Sequence, residues 1–223
     1  MSKDIIKPGI VLLIVTVIAA GLLGAVNIAT KDTIADVKAK AKEDSMKKVL
    51  PDAKSFNKEQ ENNNKDYSVI KSYTEGTDES GNSVGCAFEV STKGFSTGLN
   101  LMIGITKDGV ISGVDILSHG ETPGLGANAG EKWKDQPKWV SQFTDKSGKV
   151  NVTKGDSPKD DEIQAITGAT ITSNAIANAV NTASEFYNNV VKNGGEAKST
   201  FSPDEEVDSK SSETNSKSRG GTE

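Results

Sequence analysis

The apolar residues of this chain are most concentrated near its N-terminus. Residues 9–29 contain no charged side chain and consist mainly of Val, Ile, Leu, Ala and Gly. A helix of about twenty residues, rising roughly 1.5 Å per residue, spans the hydrocarbon core of a bilayer. A cleaved signal peptide is the alternative, but the run exceeds a typical h-region and no small-residue cleavage site follows it. The pattern therefore predicts an uncleaved transmembrane helix, preceded by a short segment over residues 1–8.

Lysines flank this run on both sides. Lys3 and Lys7 precede it, and six more lysines lie between residues 31 and 48. A simple positive-inside count would keep the following domain inside the cell. Long domains, however, translocate largely regardless of charge, so the lysines alone do not decide the orientation.

A polar helical pattern follows the apolar run. Residues 33–50 carry a thin apolar stripe at helical spacing, interrupted by Asp44 and Ser45, with its members at Ile34, Val37, Ala41 and Val49. Pro51 ends the pattern, and residues 52–66 are rich in Asn, Lys and Glu. We expect residues 30–66 to form a helical stalk and a surface loop.

From residue 67 the apolar period falls to two, which is typical of strands that are buried on one face. Four runs show this period, at residues 67–73, 85–92, 99–106 and 110–118. Lys107-Asp108-Gly109 supplies a tight turn between the last two. Short consecutive strands joined in this way predict an antiparallel meander, with Cys86 as a small core residue.

Helical patterns return in the last third of the chain. Residues 174–191 show a helical stripe that would pack on the sheet, formed by Ile176, Val180, Ala183, Phe186 or Tyr187, and Val190. The segment with Trp133, Trp139 and Phe143 predicts one or two short helices, whose tryptophans fill the core or a lid, or stack on an aromatic ligand. Residues 194–223 lack an apolar period and are predicted to be disordered. The fold class is therefore α+β, an antiparallel sheet with packed helices over residues 67–193, preceded by one transmembrane helix.

The composition argues against several kinds of partner and reactive site. The net charge of −5 argues against a nucleic-acid partner, which requires a basic face. Cys86 and His119 are the only residues of their types. An intrachain disulfide, a cysteine-ligated iron–sulfur cluster and a multi-histidine zinc site are thereby excluded. With so few reactive side chains, the chain is better suited to holding a cofactor.

Two short motifs are candidates for such a site. Residues 166–173 carry small and hydroxyl-bearing side chains immediately before the last helical pattern. A turn that enters a helix in this way offers unpaired N–H groups and the positive end of the helix dipole to a phosphate. The alternative is an ordinary turn with a Thr or Ser N-cap. Upstream, residues 118–126 contain three glycines and a proline, which indicates a tightly turned loop.

Together the motifs carry a family resemblance. Glu121-Thr122-Pro123-Gly124-Leu125-Gly126 and Thr167-Gly168-Ala169-Thr170, in this order behind an anchor, resemble the FMN-binding domain of RnfG, a component of the Rnf electron-transport complex. NqrC, a component of the sodium-translocating NADH:quinone reductase, shares the pattern. The resemblance implies an electron carrier in a complex that couples electron transfer between ferredoxin and NAD to transport of Na⁺ or H⁺. It also implies a cytoplasmic N-terminus, an extracytoplasmic domain, and the other proteins of the Rnf complex as partners.

The resemblance further implies that FMN is attached covalently, through its phosphate, to the hydroxyl of Thr170 by a separate flavin transferase. Gly168 and Ala169 would leave room for the phosphate, and the Thr172 and Ser173 hydroxyls would donate hydrogen bonds to it. The loop would lie beside the isoalloxazine ring. The implied cofactor-binding residues are Thr170, Glu121, Thr122, Leu125, Gly126, Thr167, Gly168, Ala169, Ile171 and Thr172.

Individual roles in the loop differ in kind. Thr122 and the loop backbone would donate hydrogen bonds, and Leu125 would offer an apolar face. Glu121 would either orient the loop or bond to the flavin. His119 is either a proton donor to reduced flavin or a structural residue. No catalytic residue and no metal ligand is expected.

The chain departs from the family pattern at one position. The family usually has an Asp three residues before the first Thr or Ser of the attachment motif, where this chain has Gln164. If that carboxylate serves recognition by the transferase, attachment would be slower or would use a different transferase. Besides the quinone-reductase component, the alternatives are a scaffold or assembly protein without flavin and a secreted flavoprotein outside any complex.

Overall fold

The structure is a computed structural model, which describes residues 3–131, 134, 137–155 and 157–193. The predictions for Trp133 and for residues 194–223 lie outside these ranges. Helix α1 runs from Lys3 to Val49, so the apolar run and the predicted stalk form one continuous helix. It is the one helix of the described chain that is long and apolar enough to cross a membrane, judged by length and composition.

An antiparallel sheet follows α1. Its strands are β1 (Ser55–Phe56), β2 (Gln60–Glu61), β3 (Ile70–Thr77), β4 (Ser83–Thr92), β5 (Leu99–Thr106) and β6 (Ile111–Ser118). They are ordered β1-β3-β4-β5-β6, and β2 also pairs with β3. The predicted meander is confirmed, and β5 has the predicted bounds.

The N-terminal edge of this sheet differs from the prediction. Residues 52–66 were expected to be a surface loop, but they contain β1, β2 and the start of a 3-10 helix at Lys65–Tyr67. Each of the two strands has only two residues and pairs with β3 through its backbone, so neither is long enough to show an alternation that a sequence pattern detects. Tyr67, expected to begin a strand, is a fully buried core residue of the 3-10 helix.

The remaining elements complete the domain. They are 3-10 helices at Gly126–Gly130 and Trp139–Phe143, the parallel pair β7 (Asn151–Thr153) and β8 (Glu162–Gln164), helix α2 (Thr170–Phe186) and a π-helical turn at Tyr187–Lys192. Helix α2 begins four residues before the predicted start, because the small-residue turn itself enters the helix. Neither β7 nor β8 is among the four predicted strands.

Helix α2 packs on one face of the sheet. Ile176, Val180 and Ala183 are fully buried, and the Phe186 ring contacts the rings of Tyr67, Tyr73 and Phe88. Cys86 is buried in the same cluster, as predicted, and burial, with a smaller contribution from the charge of Glu75, raises the pKa of its thiol to about 12. This packing fixes the position of the α2 N-terminus relative to the sheet.

The end of α1 packs on the opposite face. Side chains alternate between faces along a strand, and Ala87 and Met102, which lie between residues facing α2, contact the buried Val49. The Val49 carbonyl accepts a 2.5 Å hydrogen bond from the Ser112 hydroxyl. Most of the predicted stalk stripe does not pack in this way, since Ile34 and Val37 are exposed.

A buried carboxylate strengthens the attachment of α1. Asp115 on β6 accepts hydrogen bonds from the Ser45 hydroxyl at 2.9 Å and the Lys138 ammonium at 2.8 Å, and Lys48 lies 3.4 Å away. Burial alone would raise the pKa of Asp115, but these hydrogen bonds and the lysine charges hold it below its usual value. The C-terminal end of α1 is therefore held on the sheet by both packing and charge.

Candidate cofactor site

A pocket of about 290 Å³ opens where the loops after β4 and β6 meet the N-terminus of α2. Its lining residues are Phe95, Glu121, Thr122, Leu125, Gly126, Gly168, Ala169, Thr170, Ile171 and Thr172. Nine of the ten predicted site residues thus surround one pocket. Thr167 is exposed and does not line it. Phe95 was not predicted.

Thr170 is the first residue of helix α2. The N-cap residue is Ala169, which has no side-chain oxygen to accept from the first backbone N–H groups of the helix. Those N–H groups have no acceptor within the helix and point toward its N-terminal end, where the dipole is positive. The alternative of an ordinary Thr or Ser N-cap is therefore wrong, and the Thr170 hydroxyl lies at a helix end without a side-chain cap that lines the pocket.

The hydroxyls of Thr172 and Ser173 do not have the predicted role. Both residues are fully buried. Thr172 donates its hydroxyl proton to Glu121 at 2.6 Å, and Ser173 donates its own to the Ala169 carbonyl at 3.0 Å. The Ser173 oxygen also accepts from the Ile166 N–H at 3.0 Å. Each hydroxyl has one proton and directs it to a protein acceptor, so neither is placed to donate to a phosphate in this structure.

Glu121 organises the pocket wall. Its carboxylate is buried and accepts hydrogen bonds from the Ser96 backbone N–H at 3.0 Å and from Thr172. A Cβ at Gly94 would lie 2.4 Å from one carboxylate oxygen, and a Cβ at Gly126 would lie 2.3 Å from the other. Both loops can approach the carboxylate this closely only because these positions lack side chains. Of the two roles predicted for Glu121, orienting the loop is the one that these contacts favour.

The pocket mouth is apolar. Leu125 lies against the turn that enters α2, where a Cβ at Gly168 would be 3.0 Å from the Leu125 Cδ2 atom, and Gly168 has a φ of +76°. Phe95 and Ile171 lie on the same rim and are more than half exposed. A rim of this kind suits the planar rings of a flavin better than a strongly polar ligand.

Other predicted positions lie away from the pocket. His119 is exposed, and its Nδ1 atom accepts a 3.3 Å hydrogen bond from the Glu121 N–H, which is a structural contact. Trp139 is fully buried and donates through Nε1 to the Gln164 carbonyl at 2.8 Å. The Gln164 side chain accepts a 2.6 Å hydrogen bond from Lys134. The family's usual carboxylate would thus lie beside an ammonium group here.

The residues present suit FMN. The apolar mouth would accommodate the isoalloxazine rings, and the uncapped N-terminus of α2 would accept a phosphate. Small-molecule sites commonly have volumes of roughly 300–1,000 Å³, so this pocket would enclose part of FMN rather than the whole molecule. A partly exposed cofactor is accessible to an electron-transfer partner.

Comparisons with known proteins give consistent results along the chain. The family model described as the FMN-binding domain matches residues 94–185, and that described as the RnfG N-terminal region matches residues 1–49. The G component of the Na⁺-translocating ferredoxin:NAD⁺ oxidoreductase complex of Acetobacterium woodii is 34% identical over 204 residues, which cover 85% of this chain and 95% of the relative.

Two further proteins and one solved structure are also similar to this chain. The G component of the ion-translocating oxidoreductase complex of Methanosarcina acetivorans is 30% identical, over 83% of this chain and 95% of its own. The G component of the proton-translocating ferredoxin:NAD⁺ oxidoreductase complex of Clostridium ljungdahlii is 32% identical, over 74% of this chain and 81% of its own. The crystal structure of Shewanella oneidensis NqrC aligns with a TM-score of 0.42 at 23% identity, covering 61% of this chain and 66% of that one.

Proposed function

The chain belongs to the RnfG family, the G components of ion-translocating oxidoreductase complexes, and from this membership we propose that it carries FMN covalently on the hydroxyl of Thr170. It is a membrane-associated redox component with an FMN-binding domain. The proposal concerns the linkage and the residues that hold the cofactor. Its main support is the position of Thr170, which heads α2 at an uncapped helix end within the pocket.

The surroundings of Thr170 favour it over the other hydroxyls as the attachment residue. Thr172 and Ser173 are fully buried and already hydrogen-bonded, whereas Thr170 is partly exposed and lines the pocket. Thr167 is exposed but lies outside the pocket lining. Among the four hydroxyls of residues 167–173, Thr170 is therefore the one at which access for a transferase and proximity to the pocket coincide. Thr122 is also exposed and lines the pocket, but it lies in the loop after β6 and not at the N-terminus of α2.

A phosphoester at Thr170 would place the phosphate at the N-terminus of α2. The first N–H groups of the helix and its dipole would stabilise the negative charge there. Because Thr172 and Ser173 donate elsewhere, the backbone takes the role that these hydroxyls were expected to have. Gly168, at a positive φ, keeps the turn free of a side chain beside the phosphate.

The chain's own side chains bind and orient the cofactor. FMN supplies the redox chemistry, accepting electrons from one partner and passing them to another. The loop at Glu121 would hold the ring system, and the covalent link would prevent its loss. No side chain is required as an acid, a base or a nucleophile toward a further substrate.

We further propose that the domain lies on the extracytoplasmic side, with α1 in the lipid bilayer and a flavin transferase acting on the domain there. The complex would couple electron transfer between ferredoxin and NAD to movement of Na⁺ or H⁺, as the names of two relatives state for their own complexes. Those names favour this assignment over the quinone-reductase component, and the match to the FMN-binding domain favours it over a scaffold without flavin.

Denaturing electrophoresis tests the linkage. The chain is produced with a flavin transferase, denatured in SDS and examined for flavin fluorescence in the gel. We expect a fluorescent band for the unaltered chain and for Thr97→Ala, an exposed hydroxyl outside both motifs and the pocket lining, and none for Thr170→Ala. A fluorescent band in Thr170→Ala would place the link at another residue, and a dark band in all three would favour a non-covalent or flavin-free protein.

A further inference from the structure

Exposed apolar side chains of the described chain have an uneven distribution. The exposed large apolar side chains lie either in α1 or at three positions in the domain. The three are Phe95, Leu125 and Ile171, which are 68%, 43% and 58% exposed, and all of them line the pocket. Large apolar groups gathered around one opening usually mark a surface that is covered in the functional state.

Phe95 is the most exposed of the three, although its backbone is firmly held. On one side, Gly94 is buried and in close contact with the Glu121 carboxylate. On the other side, the Ser96 N–H donates to the same carboxylate at 3.0 Å. The loop thus presents the Phe95 ring at the pocket mouth from a fixed backbone.

Phe95 is also the one aromatic residue among the described residues that line the pocket. Trp139 is buried in the core, where it contacts Phe143. The match to the FMN-binding domain spans residues 94–185 and so contains every residue of the pocket lining. An aromatic side chain at the mouth of a flavin site would make an offset-stacked or edge-to-face contact with the rings.

We infer that Phe95 covers one face or edge of the isoalloxazine ring system, and that Glu121 is the positioning residue that holds Phe95 there. This inference rests on the proposed function. Leu125, packed over Gly168, and Ile171 on the first turn of α2 supply the rest of the apolar contact. Glu121 acts through its hydrogen bonds to Ser96 and Thr172, so the same carboxylate fixes the aromatic cover and the start of the helix that carries Thr170.

The test uses the fluorescence of the attached flavin in the full chain. A tryptophan ring in contact with an isoalloxazine ring quenches its fluorescence by electron transfer, which phenylalanine does far less. Phe95→Trp is expected to lower the flavin fluorescence roughly fivefold or more, because the substituted ring occupies the contact position. Thr97→Trp is the matched control, since Thr97 is exposed on the same loop but does not line the pocket.

A second variant measures how far Phe95 shields the flavin from solvent. Phe95→Ala removes the ring and is expected to raise the quenching constant of the flavin by iodide roughly twofold, because one face becomes accessible. Since Phe95 is largely exposed, neither substitution removes core packing. Glu121→Gln keeps an acceptor for Ser96 and is expected to change iodide access less than Glu121→Ala does.

Mass measurement of every variant separates the inference from the proposed function. If flavin is attached at Thr170 and fluorescence responds equally to Phe95→Trp and Thr97→Trp, or iodide access is unchanged in Phe95→Ala, the role of Phe95 is wrong while the attachment stands. Equal iodide access in Glu121→Gln and Glu121→Ala overturns the positioning role. If no variant carries flavin, both the inference and the proposed function fail.

Discussion

The hydroxyl of Thr172 donates a 2.6 Å hydrogen bond to the carboxylate of Glu121, fifty-one residues earlier in the chain. Both groups are buried. The bond joins the first turn of α2 to the glycine-rich loop after β6. The two motifs that carry the family resemblance are therefore coupled directly by their own side chains.

Removing this bond should weaken the domain. Thr172→Val keeps the shape of the side chain but leaves the buried carboxylate without one of its two donors. We expect a loss of about 1.5–3 kcal/mol in the free energy of unfolding, the usual range for a hydrogen bond to a charged group. Urea unfolding of the detergent-solubilised chain measures it. Thr122→Val, at an exposed position of the same pocket, is the control and should change stability little. Equal stability of Thr172→Val and the unaltered chain would show that the bond contributes nothing.

The contact of α1 with the sheet should depend on Gly104. A Cβ at this position would lie 2.0 Å from the Val49 carbonyl oxygen, which is a backbone atom that cannot rotate away. Gly104→Ala should therefore cost about 3 kcal/mol, the upper end for overpacking, and loosen the end of α1. Gly155→Ala, whose nearest neighbour would be 3.4 Å away, is the control. Thermal unfolding compares the two, and similar midpoints would contradict the close packing.

The Asp115 cluster should make stability depend on acidic pH. The folded pKa of Asp115 lies below its unfolded value, because burial, which would raise it, is outweighed by the hydrogen bonds and charges of Lys138, Ser45 and Lys48. The contribution of ionised Asp115 to the free energy of unfolding is fully present above the unfolded pKa of about 3.9, and it is lost as pH falls through the lower folded pKa. The stability difference between the unaltered chain and Asp115→Asn should thus be constant above about pH 5 and shrink below pH 3.9.

Unfolding free energies measured across acidic pH test this expectation. Asp52→Asn is the control, since Asp52 is an exposed carboxylate near the end of α1. The difference in unfolding free energy between Asp52→Asn and the unaltered chain should change little over the same pH range. A difference for Asp115→Asn that grows on acidification would reverse the predicted sign.

The single thiol should be unreactive in the folded protein. Burial, followed by the charge of Glu75, raises the pKa of Cys86 to about 12. At pH 8 its thiolate fraction is then roughly a thousandfold below that of a free cysteine. Labelling by a thiol reagent should be correspondingly slow, and rapid after denaturation. Ser80→Cys in a Cys86→Ala background offers an exposed thiol for comparison, and equal labelling rates would contradict the burial of Cys86.

Regular patterns made much of this fold predictable. The alternation in residues 99–106 and 110–118 and the turn at Lys107-Asp108-Gly109 describe β5 and β6 almost to the residue. β1 and β2 were missed because each is a two-residue strand whose identity depends on pairing with β3. The start of α2 was placed late because the predicted N-cap hydroxyls lie inside the helix, and the true N-cap is an alanine.

The residues that line the candidate site were easier to predict than the role of each residue. The motifs identified nine of the residues that line the pocket, but a motif does not show where a hydroxyl proton is directed. The hydrogen bond from Thr172 to Glu121 is a tertiary contact, and the one from Ser173 to Ala169 is a local contact within the turn. A sequence pattern specifies neither of them. Phe95 escaped notice because it lies outside both motifs, in the loop between β4 and β5. The sequence signal for Phe95 is a single aromatic residue in a short polar loop bounded by Gly94 and Gly98.

Covalent attachment of FMN at Thr170 is tested most directly by the mass of the protein purified from its native membrane, with peptide mapping around Thr170. We expect the Thr170 peptide to be heavier by one FMN less one water, Thr170→Ala to lack this addition and Thr97→Ala to keep it. An unmodified Thr170 peptide, from cells that attach flavin to other proteins, would contradict covalent attachment at this residue.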